Sequence, residues 1–508
     1  MDILLVIPPR TEDDHGYTPA AAAVLKGNVM QAGFTSKIID FNAEIDDFCL
    51  NNPNLSNSIN NFFNYNTFYN KNTWLTIKPM LEEWADRIIS YNPKWLGISV
   101  FSYNSQRATR LLSLAVKMRN KDIKIVIGGS GIRTDKTFAE TLYEQKIINA
   151  YIKGDGEVSL VELLQGNTSY PGINGIPPIQ INNLDSLAYP NYDDYELARY
   201  ESQKGLQALP ITGSKGCVRN CTFCDINAAW PKYYYRSGKS IASEIKYQVE
   251  KYDVQVFRFT DSLTNGSMKA FREMCYHLAE FRKTLSDDKK FIWEGHFIVR
   301  STKQMPPKDF DLMKQSGAEL TWIGFESGSE RVRKHMKKGY TNADMNYTME
   351  QLDRVGIKTR MLMIIGYPTE TEEDFQQTKD LFEEWLPYLH SGTINEVQLG
   401  ATLNLLPRTP LADNKEKYRI LQPTDHINNW ICLDNPTLTY KERLKRRILL
   451  QAHVERLGYT CFMGQDYIKQ MQSQWEQVKN LDVNAEQYYL DNFMFDKENA
   501  GIIAELNY

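Results

Sequence analysis

The sequence predicts an α/β protein in three parts. A doubly wound, Rossmann-like parallel sheet comes first, a partial (β/α)6 barrel of the TIM type second, and a mainly helical C-terminal region last. Three observations predict this order. Short, β-branched apolar runs alternate with helical patterns through residues 1–165, and the alternation resumes at 206 and runs to 410. The 411–508 segment shows no strand series and turns helical ("YKERLKRRILLQAHVERLG"). Between the two series, residues 166–205 hold Gly, Pro and Asn with little periodicity ("GNTSYPGINGIPPIQINNLDSLAYPNYDDY") and read as a connector.

In the first series "ILLVIP" (3–8) is apolar throughout, as expected of a strand covered on both faces. A helix follows over "AAAAVLKGNVMQAG", with Gly33 as its C-cap. "TSKIIDF", "WLGISVF", "KIVIGG" and "NAYIKGDGE" supply four further strands. Ligands of such sheets bind beyond the carboxyl ends of the strands. Here those ends are "PPRTEDDHGYTP", "SVFSYN", "GGSGIRTD" and "GDGE". One insertion, "NNPNLSNSINNFFNYNTFYNKNT" (51–73), is rich in Asn, Phe and Tyr. It reads as an irregular excursion whose rings pack on a neighbour.

The second series has six strands: "ALPITGS", "VQVFRFTD", "FIWEGHFIV", "ELTWIGFES", "IKTRMLMIIGYP" and "NEVQLGATLNLLP". Six β/α units fall short of the eight that close a full barrel. The C-terminal region is expected to cap the open side, with Trp430, Trp475 and its tyrosines filling a core.

Composition narrows the function classes. The 508 residues are 42% hydrophobic and 24% charged with a net charge of -4, values of an ordinary globular protein. The mild acidity gives no expectation of a nucleic-acid or membrane-surface partner. The basic run "YKERLKRR" (440–447) reads as a solvated helix face. No stretch approaches a membrane span, and "MDILLVIPPR" lacks the positive charge and length of a signal peptide. Four of the seven cysteines are scattered (Cys49, Cys275, Cys432, Cys461), which fits a reducing cytoplasm rather than a disulfide framework.

The other three form "GSKGCVRNCTFCDIN" (213–227): Cys217, Cys221 and Cys224, with no fourth Cys or His nearby. Thiolates suit zinc, copper(I) or iron–sulfur clusters. Structural zinc takes four protein ligands, and a four-iron cluster normally takes four thiolates. Three leave one iron with an open position, and an open position points to catalysis. The loop follows the first strand of the six-unit series, on the face where barrel active sites lie. Gly213 and Gly216 allow it to be tight. The alternatives are three packed cysteines or a zinc site completed from afar.

Cys217-x3-Cys221-Thr222-Phe223-Cys224 resembles the signature of the radical S-adenosylmethionine (SAM) enzymes. "YRSGKSIASEI", "FRFTDS", "IGFESGSERVRKHMKKG" and "MIIGYPTET" resemble that family's later segments, so the likeness spans about 206–410. It implies a [4Fe–4S] cluster on the three cysteines, with SAM chelating the open iron. Reductive cleavage of the sulfonium bond would then give a 5′-deoxyadenosyl radical. By position, it places Asp261 and Ser262 near the SAM amine, and Glu326 and Ser327 near the ribose or methionine portion. Phe223, the Gly366-Tyr367 turn and the strand around Gly400 would flank the adenine. It also implies an electron donor such as flavodoxin or ferredoxin and a small-molecule or natural-product substrate. His296, Arg300 and Tyr233–Tyr235 lie near strand ends or the cluster loop without an assigned role.

Residues 1–165 resemble the cobalamin-binding domain that precedes many radical SAM cores. The matching pieces are "ILLVIPP", "GISVFSYN", "IGGSGIRTD" and "IKGDGEVSLVELL", which put Gly128, Gly129, Ser130, Gly154, Gly156 and Glu157 at the cofactor. The alternative is a doubly wound domain that has lost its ligand. Asp13 and His15 match the start of the Asp-x-His-x-x-Gly cobalt-ligating motif, but Thr18 stands where Gly is expected, so His15 is read as a loop residue. With cobalamin, the resemblance implies methylation of an unactivated carbon. Without methylation it implies a cyclisation or rearrangement, and outside enzymes altogether the loop would be a non-catalytic iron–sulfur or zinc site.

Overall fold

The computed structural model describes residues 1–10, 18–64, 70–134, 137–200, 208–424 and 426–461. The chain divides into two compact units, Met1–Pro210 with Val254–Val256, and Ile211–Asp253 with Phe257 onward. His15, Asp13 and Trp475 lie outside the described residues. No helix among those described is long and apolar enough to cross a membrane.

The first unit is built on five strands, β1 (Ile3–Ile7), β2 (Ser36–Asp40), β3 (Trp95–Ser99), β4 (Lys124–Gly128) and β5 (Ala150–Ile152). Their order is β2-β1-β3-β4-β5, and every pairing is parallel. All five residues of β1 are buried, because helices cover both faces of a parallel sheet and an unbroken apolar run satisfies both. The order reverses between β1 and β3. That reversal opens a crevice at their carboxyl ends.

The insertion at 51–73 departs from the irregular excursion expected of it. It forms one helix over Pro53–Asn64 and the start of another over Lys71–Ser90. Ile59, Phe62 and Phe63 share one helical face and are buried in the core, while the asparagines turn outward. Tertiary burial of that face outweighs the turn preference of Asn. The rings do pack as expected: Phe62 stacks on Trp74 and carries the Arg107 guanidinium 3.7 Å over its face. The Asn70 side chain caps the second helix by accepting from the Asn72 and Thr73 amides.

The six-stranded sheet contains β6 (Ala208–Ile211), β7 (Val256–Phe259), β8 (Ile292–Phe297), β9 (Ala318–Glu326), β10 (Lys358–Ile365) and β11 (Ile394–Thr402). They stand in strict sequence order, the arrangement of a partial barrel. Hydroxyl side chains cap five of the helices between these strands, while the helix after β8, Pro307–Gln315, starts at a proline pair with no side-chain cap. Ser237, Ser267, Ser329, Thr341 and Thr371 each accept from the amide three residues on. Fixing where each helix starts fixes the loop before it, and those loops carry the site.

The basic helix Tyr440–Arg456 overturns the expectation of a solvated face. Arg443, Arg446 and Arg447 are buried, with Arg443 at 0% exposure. They sit at i, i+3 and i+4 on one face. The planar fork of arginine matches carbonyls along the edge strand β11 and in the loops after it. Arg443 donates to the carbonyls of Trp430, Leu438 and Asn428 at 2.7–3.0 Å and lies 3.8 Å over the Trp430 ring. Arg447 donates to Gly400 O at 2.6 Å and Leu399 O at 3.0 Å. Arg446 meets the Glu370 carboxylate at 3.1 Å.

Glu370 is itself buried, and burial pushes its carboxyl up to about 7, against the pull of Arg446. Its native affinity for a proton exceeds that of the unfolded chain, whose ordinary value is 4.5. The native state therefore holds more protons between these values, and stability falls as pH rises from 4.5 to about 7. Glu370→Gln is expected to flatten that part of a plot of denaturation midpoint against pH. An unchanged slope would show that other groups set it.

Candidate active site

The chain enters the cysteine loop through Gly216, whose φ is +88° and whose α-carbon lies so close to Lys232 O that a Cβ would stand 2.4 Å from it. Only glycine fits both conditions. Cys217, Cys221 and Cys224 are free and half-buried. The Cys224 amide donates to Cys221 O at 3.2 Å, the Arg219 amide approaches Cys217 Sγ at 3.4 Å, and Asn227 Nδ2 donates to Arg219 O at 2.9 Å.

Thr222, fully buried at the loop centre, anchors it on three sides. Its amide donates to Met336 O at 3.1 Å, its carbonyl accepts from the Leu411 amide at 2.9 Å, and its hydroxyl meets the Tyr367 hydroxyl at 2.9 Å. The Tyr367 hydroxyl also donates to His335 O at 3.1 Å. Tyr367, expected beside the adenine, thus braces the loop from below. Tyr367→Phe leaves two buried partners unmatched and is expected to cost about 1–3 kcal/mol in urea denaturation. A loss within error would mean that the hydroxyl bridge carries no load.

Burial pushes the Cys221 thiol up to about 11, with Lys338 opposing and Glu326, Cys224 and Cys217 adding to the rise. Burial raises Cys224 as well, and Cys217 adds there too. The three sulfurs therefore lie within electrostatic reach of one another. Yet among the described residues no three Cys, His, Asp or Glu side chains come close enough to hold a single metal ion. Three thiols on one loop are a soft donor set that suits an iron–sulfur cluster.

Asp261 lies beyond β7 and is buried, with Ser262 exposed beside it. Its carboxylate accepts from the Gly213 amide at 2.9 Å and from the Ser214 hydroxyl, so it holds the chain leading into the cysteine loop. Burial pushes it up to about 6, offset by those bonds and by Arg236. Arg236 is itself buried against Glu244.

Glu326 ends β9 in the left-handed region, with φ +67°, where the register with β10 shifts. Its carboxylate pairs with Lys338 Nζ at 2.8 Å, both side chains nearly buried. A Cβ on Gly324 would stand 2.2 Å from Glu326 Oε1 and 2.9 Å from Lys338 Nζ, so the ion pair fills the space that glycine leaves. The Lys338 Nζ stands 6.0 Å from the centroid of Phe223, which packs with Met336, Tyr367, Leu411 and Trp430. Ser327 is enclosed in the turn after β9, where its hydroxyl accepts from the Ser329 amide at 3.1 Å. Gly366, with φ +78°, turns its amide to the Glu370 carboxylate at 3.3 Å. The backbone at Gly400 is open on its side-chain face, where a Cβ would meet nothing nearer than 4.0 Å.

The structure thus gathers Cys217, Cys221, Cys224, Phe223, Glu326 and Tyr367 around one loop. Asp261 supports that loop, while Ser327 and Gly366 shape the turns beneath it. Lys338 was missed by sequence reasoning. Its signal was the lysine pair in "HMKKGY", which lies two and three residues beyond the end of the short helix Glu330–His335 and looked like any exposed basic turn.

In the first unit Gly128 ends β4, and Gly129, with φ +115°, passes so close to Val100 that a Cβ would stand 2.4 Å from its carbonyl oxygen. Ser130 is exposed and its hydroxyl donates to Phe101 O. Phe101, just beyond β3 at the reversal point, is 48% exposed, with the Arg10 guanidinium 4.4 Å from its ring centroid. At the end of β5, Gly154 (φ +94°) closely approaches Pro178. Gly156 opens the helix Gly156–Leu164, with Glu157 in its first turn.

Residues 211–382 match the model of the radical SAM superfamily. This segment carries the chain's likeness to that superfamily. The chain is 24% identical over 312 residues to an uncharacterised methyltransferase of Pyrococcus horikoshii, covering 58% of this chain and 65% of that protein. It is 25% identical over 328 residues to the anaerobic magnesium-protoporphyrin IX monomethyl ester cyclase of Rubrivivax gelatinosus, covering 59% and 56%. The matches thus span about six tenths of these relatives' lengths. Among solved structures, the methyltransferase TsrM of Kitasatospora setae, with tryptophan substrate and a SAM analogue bound, matches at TM-score 0.61 and 17% identity over 90% of this chain and 89% of its own. The cobalamin-dependent enzyme OxsB, with aqua-cobalamin bound, matches at TM-score 0.60 and 15% identity over 99% and 75%. Both likenesses are of fold: a doubly wound unit followed by a partial barrel.

Proposed function

We propose that this protein is a radical SAM enzyme that reductively cleaves SAM and, with cobalamin on its first unit, methylates an unactivated carbon of a small molecule. The observation that carries the proposal is the three-thiol loop, held by Thr222 and Tyr367 beyond the carboxyl end of the first barrel strand, with its three cysteines free and half-buried. When bound, the cluster and SAM supply one-electron cleavage of a carbon–sulfur bond, and cobalamin supplies methyl transfer. The chain's own residues do the rest. Three thiolates hold the cluster, and Asp261 and Thr222 keep the loop in place. Phe223 and Glu326 border the space beside it, Ser327 and the Gly366 turn support it from beneath, and the open face of Gly400 leaves room for a flat base.

Support for cobalamin comes from the crevice between β1 and β3. The exposed Phe101 ring and the glycine turn at Gly128–Gly129 offer an apolar wall and a close backbone approach, which suit a broad macrocycle. The magnesium-protoporphyrin relative favours a second outcome on the same parts, a cyclisation without net methylation.

The test is anaerobic reconstitution followed by reduction. Bound iron and sulfide, 5′-deoxyadenosine released from SAM, and cobalamin retained through gel filtration are the expected results. Failure to form 5′-deoxyadenosine in cluster-loaded protein rejects the enzyme. Cobalamin that washes off rejects the methylation half and leaves the cyclisation.

A further inference from the structure

A cleft of about 360 Å³ lies on the second unit, and Cys224 forms part of its wall. Lys337, Arg408 and Lys417 also line it, with Asp413 as its one lining carboxylate. Among the described residues none of the three cations has a carboxylate partner; Lys417 has only a ring contact, 5.8 Å over Tyr418. Elsewhere on this chain many lysines and arginines are paired, including Lys338, Arg331 and Arg419, the near neighbours in sequence. Lys337 and Arg408 also hold left-handed backbone conformations, with φ +61° and +65°, which non-glycine residues rarely adopt. An unneutralised basic lining on a chain of net charge -4, against a thiolate that holds the cluster, calls for an explanation.

We propose that this cleft is the docking site of an acidic, low-potential one-electron carrier protein, and that the electron enters the cluster past Cys224. This inference rests on the proposed function, because the cluster must be reduced before SAM is cleaved. In each turnover the carrier loses one electron and the cluster gains it. That electron is then spent in breaking the sulfonium carbon–sulfur bond, giving methionine and the 5′-deoxyadenosyl radical, which takes a hydrogen atom from substrate. A carrier protein is too large to enter the barrel and must deliver its electron at the surface. The cleft is a place where the surface reaches a cluster ligand and where three cations meet it. Three cations around that point attract an acidic partner and orient its redox centre toward Cys224.

The test uses the reconstituted full-length protein and reads 5′-deoxyadenosine formation with two electron sources. One is an acidic flavodoxin, reduced and held below saturation. The other is reduced methyl viologen, a small cation that needs no docking. The triple variant Lys337→Glu, Arg408→Glu, Lys417→Glu is expected to lose about 10-fold or more of its flavodoxin-driven rate. Its viologen-driven rate should not fall, because an acidic lining attracts a small cation. The neutral variant, with Gln at the three positions, should fall between, and added salt should slow flavodoxin-driven turnover of the parent but not of the triple variant. Flavodoxin rates equal in parent and variant would overturn the proposal by placing docking elsewhere. Equal losses with both donors would overturn it by showing a structural role. A parent that yields no 5′-deoxyadenosine with viologen sinks the proposed function itself, and the docking inference with it.

Discussion

Serine at Cys217, Cys221 or Cys224, one at a time, is expected to bring 5′-deoxyadenosine formation down to background and to strip iron and sulfide from the protein. The reason is the count of ligands. A cluster held by three thiolates has none to spare, and a hydroxyl is a poor, hard ligand for it. The loop's fold should survive each change. Its anchors are the Thr222 amide, carbonyl and hydroxyl, together with the Asn227 bond to Arg219 O, and none of them uses a sulfur. Circular dichroism and denaturation midpoints close to the parent's would confirm that chemistry, not folding, was lost. A single serine variant that keeps its sulfide and cleaves SAM like the parent would remove that cysteine from the cluster.

Arg443→Ala should have the largest effect on stability. Its guanidinium satisfies the carbonyls of Asn428, Trp430 and Leu438 and covers the Trp430 ring, all without exposure to water. Removing it strands those carbonyls and opens a void beside a large ring. Together these effects are expected to cost about 3–5 kcal/mol. The helix Tyr440–Arg456 should loosen from the strand ends, which hydrogen exchange of its amides would report. Arg443→Lys keeps the charge but cannot span three carbonyls, so it should recover less than half of the loss. A midpoint unchanged in Arg443→Ala would show that water fills the place of the guanidinium at no cost.

Much of the fold was legible in residue order because both sheets are parallel and helix-covered. Such strands are short, unbroken apolar runs, and "ILLVIP" or "MLMII" cannot be placed elsewhere without exposing them. The cysteine loop was legible for a different reason: its ligands lie within eight consecutive positions, so local spacing carries the chemistry. The Asn-rich insertion was misjudged because turn preference is local, whereas burial of Ile59, Phe62 and Phe63 is decided by distant partners. The arginines of 440–447 were misjudged for the same reason. A basic helix face looks solvated until edge-strand carbonyls are found opposite it.

From the linear chain come the two rounds of strand and helix, the three thiols and the likeness of four later segments to one enzyme family. These are local patterns that backbone geometry and ligand spacing translate directly. Only folding in three dimensions paired Glu326 with Lys338, set Tyr367 under Thr222, buried Arg443 and left Lys337, Arg408 and Lys417 around Cys224. Most of those depend on groups far apart in sequence meeting where water is excluded or admitted; Glu326 and Lys338 share one segment, but only the fold turns them toward each other.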